Sequence, residues 1–377
     1  MTRRVHSAGV ALALVLLGPP AGGGLSAQEP APAGIGTVVR GGAIYQSYVL
    51  GSGLAFDRIT QLVVPVTVSQ RFGPRLTVDL AGGFATASVR TLGGSLDHAG
   101  AVDTDLRAAV ALVPGRVVLT VVGTLPTGSE TVPDTTLPLY GATATDLLGF
   151  MAPAFGGGGA LTAGVAAAFP LSPTWAVGAG ASYRHSGSYL PVAGGEELSP
   201  GGEGRVRVGV EGSPGGAAYL RAALVYVSSA RDRFAGGTEA AIGDRVLVHA
   251  ALNLPLGRGA LSVYGWEMRR LKPRGLTSAT VATPRGNALA LGARWDRPLS
   301  PTVGLAPVLE FRHELSGYQS LDLVGYLVRP GADLRWRLSD RAALVLQAHL
   351  ALGRVRDDGN TVSLRGPRVG ALLEWTR

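Results

Sequence analysis

The chain has 377 residues, with 34 Lys and Arg against 26 Asp and Glu, a net charge of +8, and no cysteine. Zero cysteines exclude disulfides and thiolate metal sites, and the basic residues stand singly between apolar ones, which excludes a basic nucleic-acid arm. Mean hydropathy is high at +0.25, yet beyond residue 27 no apolar run reaches the ~20 residues that a transmembrane helix needs.

Residues 1–27 have the layout of a cleavable secretory signal. Arg3 and Arg4 begin it, Val10 to Leu17 is apolar, and a small-residue stretch ends in Leu25-Ser26-Ala27. The arginine pair raises a twin-arginine route, but the residues after it fit ordinary secretion better. Cleavage removes two arginines and no acid, taking the charge from +8 to +6. Residues 28–35 form a short Pro/Ala/Gly lead, and 36–377 are expected to be one domain.

That domain is punctuated by turns. Pro170-Leu171-Ser172-Pro173-Thr174 recurs word for word as Pro298-Leu299-Ser300-Pro301-Thr302. Looser versions lie at Arg71-Phe72-Gly73-Pro74-Arg75, Val113-Pro114-Gly115-Arg116, Gly212-Ser213-Pro214-Gly215-Gly216, Pro255-Leu256-Gly257-Arg258-Gly259 and Arg337-Leu338-Ser339-Asp340-Arg341. Pro presets φ and Gly accepts positive φ, so each can reverse the chain within a few residues. The spacing, roughly 40 residues except in the third unit, is that of one repeated hairpin. The hairpins predicted are 36–71, 75–113, 116–170, 174–212, 216–255, 259–298, 302–337 and 341–377, giving sixteen strands, or fourteen if 36–71 is not part of the wall.

Inside the units apolar and polar residues alternate. Leu344, Leu346 and Leu350 share one face while Gln347 and His349 share the other. Val206, Val208 and Val210 oppose Arg205, Arg207 and Glu211 in the same way. Successive strand side chains point to opposite faces, so one face meets something oily and the other tolerates charge. A soluble sandwich would alternate too, but three features favour a membrane barrel. The strands read as about 10–14 residues, long for a soluble sheet; short and long connections alternate; and Trp175, Tyr183, Tyr226, Trp295, Trp336 and Trp375 sit on the oily face near strand ends, where an aromatic girdle belongs. The fold class expected is all-β, an antiparallel transmembrane β-barrel of about 16 strands with short periplasmic turns and longer external loops.

The inward face then carries the candidate pore lining: Arg184, Arg205, Arg207, Glu211, Arg221, Arg245, His249, Asn253, Arg294, Asp296, Glu310, Arg312, Asp333, Arg335, Arg337, Gln347, His349, Arg368 and Glu374. A barrel this wide leaves an aqueous channel, and rings of arginine bias such a channel toward anions. The same residues can equally be a mutually paired lining that stiffens the wall. The third unit carries a long loop from about Thr127 to Phe155. Its layout resembles that of general porins, whose third external loop folds into the lumen, and this makes Glu130, Asp134 or Asp146 the candidate constriction opposite the arginines; a surface loop is the alternative.

A further resemblance rests on Asp105-Leu106-Arg107, Gly123-Thr124-Leu125-Pro126-Thr127-Gly128, Asp146-Leu147-Leu148-Gly149 and the Gly-rich strand to Phe169. Over residues 100–190 the chain resembles the outer-membrane transporters of phenol-degradation (meta-pathway) operons, related in style to the fatty-acid and hydrophobic-compound transporters. The resemblance implies uptake of hydrophobic or aromatic small molecules. Unlike the fatty-acid transporters, the chain shows no plug segment and no Asn-Pro-Ala start; Trp375 is followed by Thr376 and Arg377 where outer-membrane strands commonly end on an aromatic.

The function expected is an outer-membrane channel or transporter for passive uptake. The alternatives are an anion-leaning general porin, a barrel hydrolase of lipase or protease type, and an inert structural barrel. Hydrolase chemistry needs a convergent nucleophile, base and orienting group, and His185-Ser186-Gly187-Ser188 is the one stretch that raises it. No metal spacing or cofactor fingerprint is evident. Outer-membrane lipid, a small-molecule solute and the barrel-assembly machinery are the partners expected, with a homo-oligomer left open, and the place expected is the outer membrane of a Gram-negative-type bacterium.

Overall fold

The computed structural model describes residues 36–91, 93–277, 280–357 and 359–377. The expected signal (1–27) and lead (28–35) lie outside them. Sixteen strands form a closed barrel in which every neighbour is antiparallel and consecutive along the wall. They are β1 (Gly36–Leu50), β2 (Phe56–Phe72), β3 (Leu76–Thr91), β4 (Gly94–Val113), β5 (Val117–Leu125), β6 (Ala160–Pro170), β7 (Trp175–Ser186) and β8 (Glu203–Gly212). The second half comprises β9 (Tyr219–Ser229), β10 (Arg245–Leu256), β11 (Gly259–Arg270), β12 (Arg285–Pro298), β13 (Val303–Gly317), β14 (Asp322–Arg337), β15 (Ala342–Asp357) and β16 (Asn360–Thr376). The first hairpin is therefore wall, and β1 closes the barrel on β16 through pairs such as Arg40 opposite Glu374 and Gln46 opposite Arg368.

The period-two pattern decides which face looks outward. Val206, Leu309 and Leu350 remain 54, 53 and 47% exposed, while the side chains pointing inward beside them include Arg205, Arg207, Glu310, His349 and Ala351. An uninterrupted ring of exposed aliphatic side chains belongs in lipid. Trp175, Trp295, Trp336 and Trp375 lie close to the short-turn ends, Tyr183 and Tyr226 close to the opposite ends. No helix among the described residues is long and apolar enough to cross a membrane; the crossing is made by strands.

The repeated turns close in one way. Leu171 and Ser172 N–H donate to Trp175 O at 2.8 and 3.2 Å, and Ser172 Oγ accepts from Thr174 and Trp175 N–H at 3.2 and 3.1 Å. In the second copy Leu299 and Ser300 donate to Val303 O at 2.8 and 3.0 Å, and Ser300 Oγ accepts at 3.2 and 3.0 Å. The looser Leu338-Ser339-Asp340-Arg341 repeats the motif, with Leu338 and Ser339 donating to Ala342 O and Arg341 N–H to Ser339 Oγ.

The external connections fall into two groups. Between β5 and β12 they are long (126–159, 187–202, 230–244 and 271–284), and the last three build a small four-stranded sheet from 198–199, 232–234, 239–241 and 280–282. Around the closing seam they shrink to 51–55, 92–93, 318–321 and 358–359. There the strands themselves are taller, 15 to 20 residues in β1–β4 and 15 to 17 in β13–β16. This exceeds the expected 10–14, and strand extension takes the place of loops.

Candidate functional site

The candidate site is the lumen, and loop 126–159 occupies much of its outer half. Its base is clamped by Asp103 on β4, whose two carboxylate oxygens accept from Gly128 N–H at 3.0 Å and Gly157 N–H at 2.8 Å, while Thr127 OH donates to Val102 O at 2.9 Å. From that clamp the chain makes a single turn at Asp134–Thr136 and a short helix, α1 (Leu137–Thr143), with a proline in its first turn, then descends along the wall.

An apolar seat receives it. Leu139, Leu147, Phe150 and Phe155 of the loop pack with Tyr48, Ile59, Val89, Leu327 and Leu364 of the wall, all nearly inaccessible. The Tyr48 and Phe150 rings meet edge to face at 5.4 Å. Burying several such side chains, at ~25 cal/mol per Å² of apolar surface, outweighs the entropy of ordering an otherwise free loop only if its backbone polar groups are also satisfied.

They are. Leu148 O accepts three bonds: Tyr48 OH at 2.6 Å, Gln46 Nε2 at 2.9 Å and Arg329 Nη2 at 3.1 Å. Gln61 exchanges two bonds with the Ala152 backbone at 2.7 and 3.1 Å. Glu314 accepts from Thr145 OH and Leu147 N–H, both at 2.8 Å, and Arg312 Nη1 donates to Asp146 O at 3.0 Å. At the tip Gly149 has φ +60° and lies against the Arg312 guanidinium where a Cβ would collide. Left-handed backbone and lack of room both demand glycine there.

Of the three candidate constriction acids, only Asp146 comes to the arginine side. Asp134 is exposed and accepts from Thr135 N–H at 2.7 Å, and Glu130 is half-buried near the loop base. Burial pushes the Asp146 carboxyl above its ordinary pKa, against the pull of Arg270, Arg312 and Arg245, none of which closes to ion-pair distance among the described residues.

The predicted inward residues all share the inner face by strand register, and most are paired. Glu310 binds Arg312 at 2.8 Å and Arg329 at 3.0 Å; Asp333 binds Arg294 and accepts from His349 Nε2 at 2.8 Å; Arg294 also meets Asp296 at 2.9 Å. Glu203 holds Arg205 at 2.8 Å and Arg245, Arg221 meets Glu211 at 3.4 Å, and Arg335 meets Glu374 at 2.6 Å. Arg184 lies opposite Glu203 in register, and Arg368 is buried opposite Gln46 and His349. Asn253 accepts from Ser262 OH at 2.5 Å.

The lumen is lopsided. The Arg329 side chain, beneath the loop, is 3% accessible, whereas that of Arg221 across the barrel is 41% accessible. On that open side Arg207 donates to His249 Nε2 at 3.0 Å, and His249 stands opposite Trp266 with Tyr264 one inward step away. Pairing across the Gly257-Arg258 turn reaches Trp266 and Tyr264 from His249 and Ala251, and the period-two count reaches Arg329 from Asp333 through Gly331. Sequence reasoning passed over all three. Glu314 is likewise one inward step from Arg312, but its role, like those of Gln46, Tyr48 and Gln61, exists only once the loop is seated.

Elsewhere, His185 stands exposed on the outer face of β7 and Ser188 bonds to Ser199 Oγ at 2.7 Å. Among the described residues no hydrogen bond joins His185 to a serine or a carboxylate, and no group of three or more His, Asp and Glu is placed to hold a metal.

No protein-family model matches the chain, and no curated protein does. Solved structures similar to it include the outer membrane protein opdK of Pseudomonas aeruginosa (10% identity, TM-score 0.45, covering 91% of this chain and 99% of that one). A loop-deleted OmpT, an outer membrane protein of Vibrio cholerae, is similar at 12% identity and TM-score 0.45, covering 91% and 99%. The outer membrane channel DcaP of Acinetobacter baumannii is similar at 10% identity and TM-score 0.44, covering 91% and 96%. The likeness is one of barrel architecture, and the fold rests on the strand pairing itself.

Proposed function

We propose that the chain is an outer-membrane channel for passive passage of small solutes, constricted from outside by loop 126–159, and that its preferred solutes are organic anions with aromatic character. The observation that carries this reading is the asymmetry of the lumen: one side is filled by the seated loop, and the other presents the accessible Arg221 and the Arg207–His249 pair opposite Trp266. Arginine offers a carboxylate two parallel bonds, and aromatic faces stack on rings and guanidinium groups alike. The resemblance of residues 100–190 to the phenol-degradation transporters supports the aromatic part, since its Asp146-Leu147-Leu148-Gly149 is the stretch on which the seat converges.

Liposome swelling tests both parts. Small carboxylates should enter faster than sugars of equal size, and benzoate faster than acetate once size is allowed for. Deleting residues 130–150 should raise single-channel conductance several-fold, since the open cross-section sets the current. Unchanged conductance sinks the constriction, and equal entry of sugars and carboxylates sinks the anion preference. Entry of uncharged aromatics alone would favour a transporter of hydrophobic compounds.

A further inference from the structure

At the external rim, a belt of arginines faces outward on β15, β16, β2 and β3, the four strands that flank the closing strand β1. Strand register sets Arg365 on β16, Val49 on β1, Arg58 on β2 and Arg90 on β3 side by side in one row. On β15 the row falls at Leu352, opposite Arg365; Arg354 and Arg356 lie further out along that strand, opposite Ser363 and Thr361. All five arginines are exposed. On β15 Arg354 follows directly on the exposed Leu352; on β2 Thr60 stands between Arg58 and the exposed Leu62, and on β3 Thr86 and Ser88 stand between Arg90 and the exposed Phe84. Among the described residues no lysine or arginine points outward on the external halves of β4–β10; Arg269 on β11 and Arg285 on β12 do point outward, but Arg269 binds Glu267 and Arg285 donates to Gln319 O.

Five cations on neighbouring strands repel one another, and like charges directly opposite, as Arg58 and Arg90 are, weaken a sheet. Asp57 bonds to Arg90, with two bonds of 2.7 Å, and lies near Arg58 without bonding to it. Arg58, Arg354, Arg356 and Arg365 have no carboxylate bond among the described residues. A long side chain at the edge of the hydrocarbon lays its stem on the apolar band and lifts its guanidinium to the headgroup level. Guanidinium is the side chain that grips phosphate in a bidentate fork. With strands ~4.8 Å apart, Arg365 and Arg58 are roughly 10 Å from each other and Arg90 one strand further. That span exceeds a single phosphate and suits two phosphates carried on one headgroup.

We propose that this belt binds a bisphosphorylated glycolipid of the external leaflet, its phosphates on Arg58, Arg354, Arg356 and Arg365 and its acyl chains on the apolar band beneath. The proposal is independent of what passes through the lumen.

Native mass spectrometry of the barrel in a neutral detergent, with hexa-acylated lipid A carrying two, one or no phosphates and with phosphatidylglycerol, tests it. The bisphosphoryl form should be retained, and retention should fall at least about tenfold when both phosphates are removed, because several charge-assisted bonds are lost. The variant R58S/R354S/R365S should lose the adduct to the same extent, whereas R269S/R285S, elsewhere on the outer wall, should keep it. If the triple variant does not fold, the phosphate series on the unaltered protein decides. Equal retention of the dephosphorylated lipid, equal retention of phosphatidylglycerol, or displacement by millimolar inorganic phosphate would each overturn the proposal.

Discussion

At the scale of single residues the seat of the loop turns on a few atoms. Leu148 O is bound by three donors from two ends of the chain, and Gly149 beside it has no room for a methyl group. Gly149→Ala should therefore cost about 1–3 kcal/mol of local strain, release the tip, and appear as higher conductance with faster proteolysis of the loop while the barrel stays folded. Asp146 gives the seat a pH dependence. Its carboxyl is raised by burial, so the seated loop binds the proton more tightly than the free loop does. The seat is then at full strength below the ordinary carboxylate pKa and weakens as pH rises through the raised one. Conductance should climb over that range, and Asp146→Asn should flatten the dependence.

At the scale of elements the hairpins were legible almost to the residue. The predicted unit 259–298 is β11 and β12, and 341–377 is β15 and β16, because alternation and Pro/Ser turns are local and a strand buried on neither face by protein must advertise its lipid side. The repeated turn also carried more than position. Ser172 and Ser300 each accept two backbone N–H groups. Replacing either by Ala should cost about 0.5–1.5 kcal/mol, and the double variant should be additive because the turns are far apart; thermal unfolding midpoints in detergent would check this. The seat of loop 126–159 was legible only as an expectation that the loop enters the lumen. Tyr48, Gln61 and Glu314 read as ordinary wall residues until pairing between distant strands brings them around the loop stretch from Thr145 to Ala152.

At the scale of the whole molecule the barrel has a tall side and a looped side. Strands β1–β4 and β13–β16 rise past the apolar band and carry both the loop seat inside and the arginine belt outside. Strands β5–β12 are shorter and hold the long connections and the small external sheet. Paired charges line both sides: Glu310 with Arg312 and Arg329 beneath the loop, and Glu203 with Arg205 and Arg245 and Glu211 with Arg221 across from it, where the Arg221 side chain is the more accessible.

The bond between Arg329 and Tyr48 joins residues 281 positions apart, and the one between Arg329 and Leu148 joins residues 181 apart. The loop is made early, but its receptor is assembled from the first strands and nearly the last ones. During biogenesis its seat stays incomplete, lacking Arg312, Glu314 and Arg329, until the later strands have formed and the sheet has closed on β1. Docking is therefore a late folding event that reports closure, and a barrel arrested a hairpin short of completion would keep an unblocked interior.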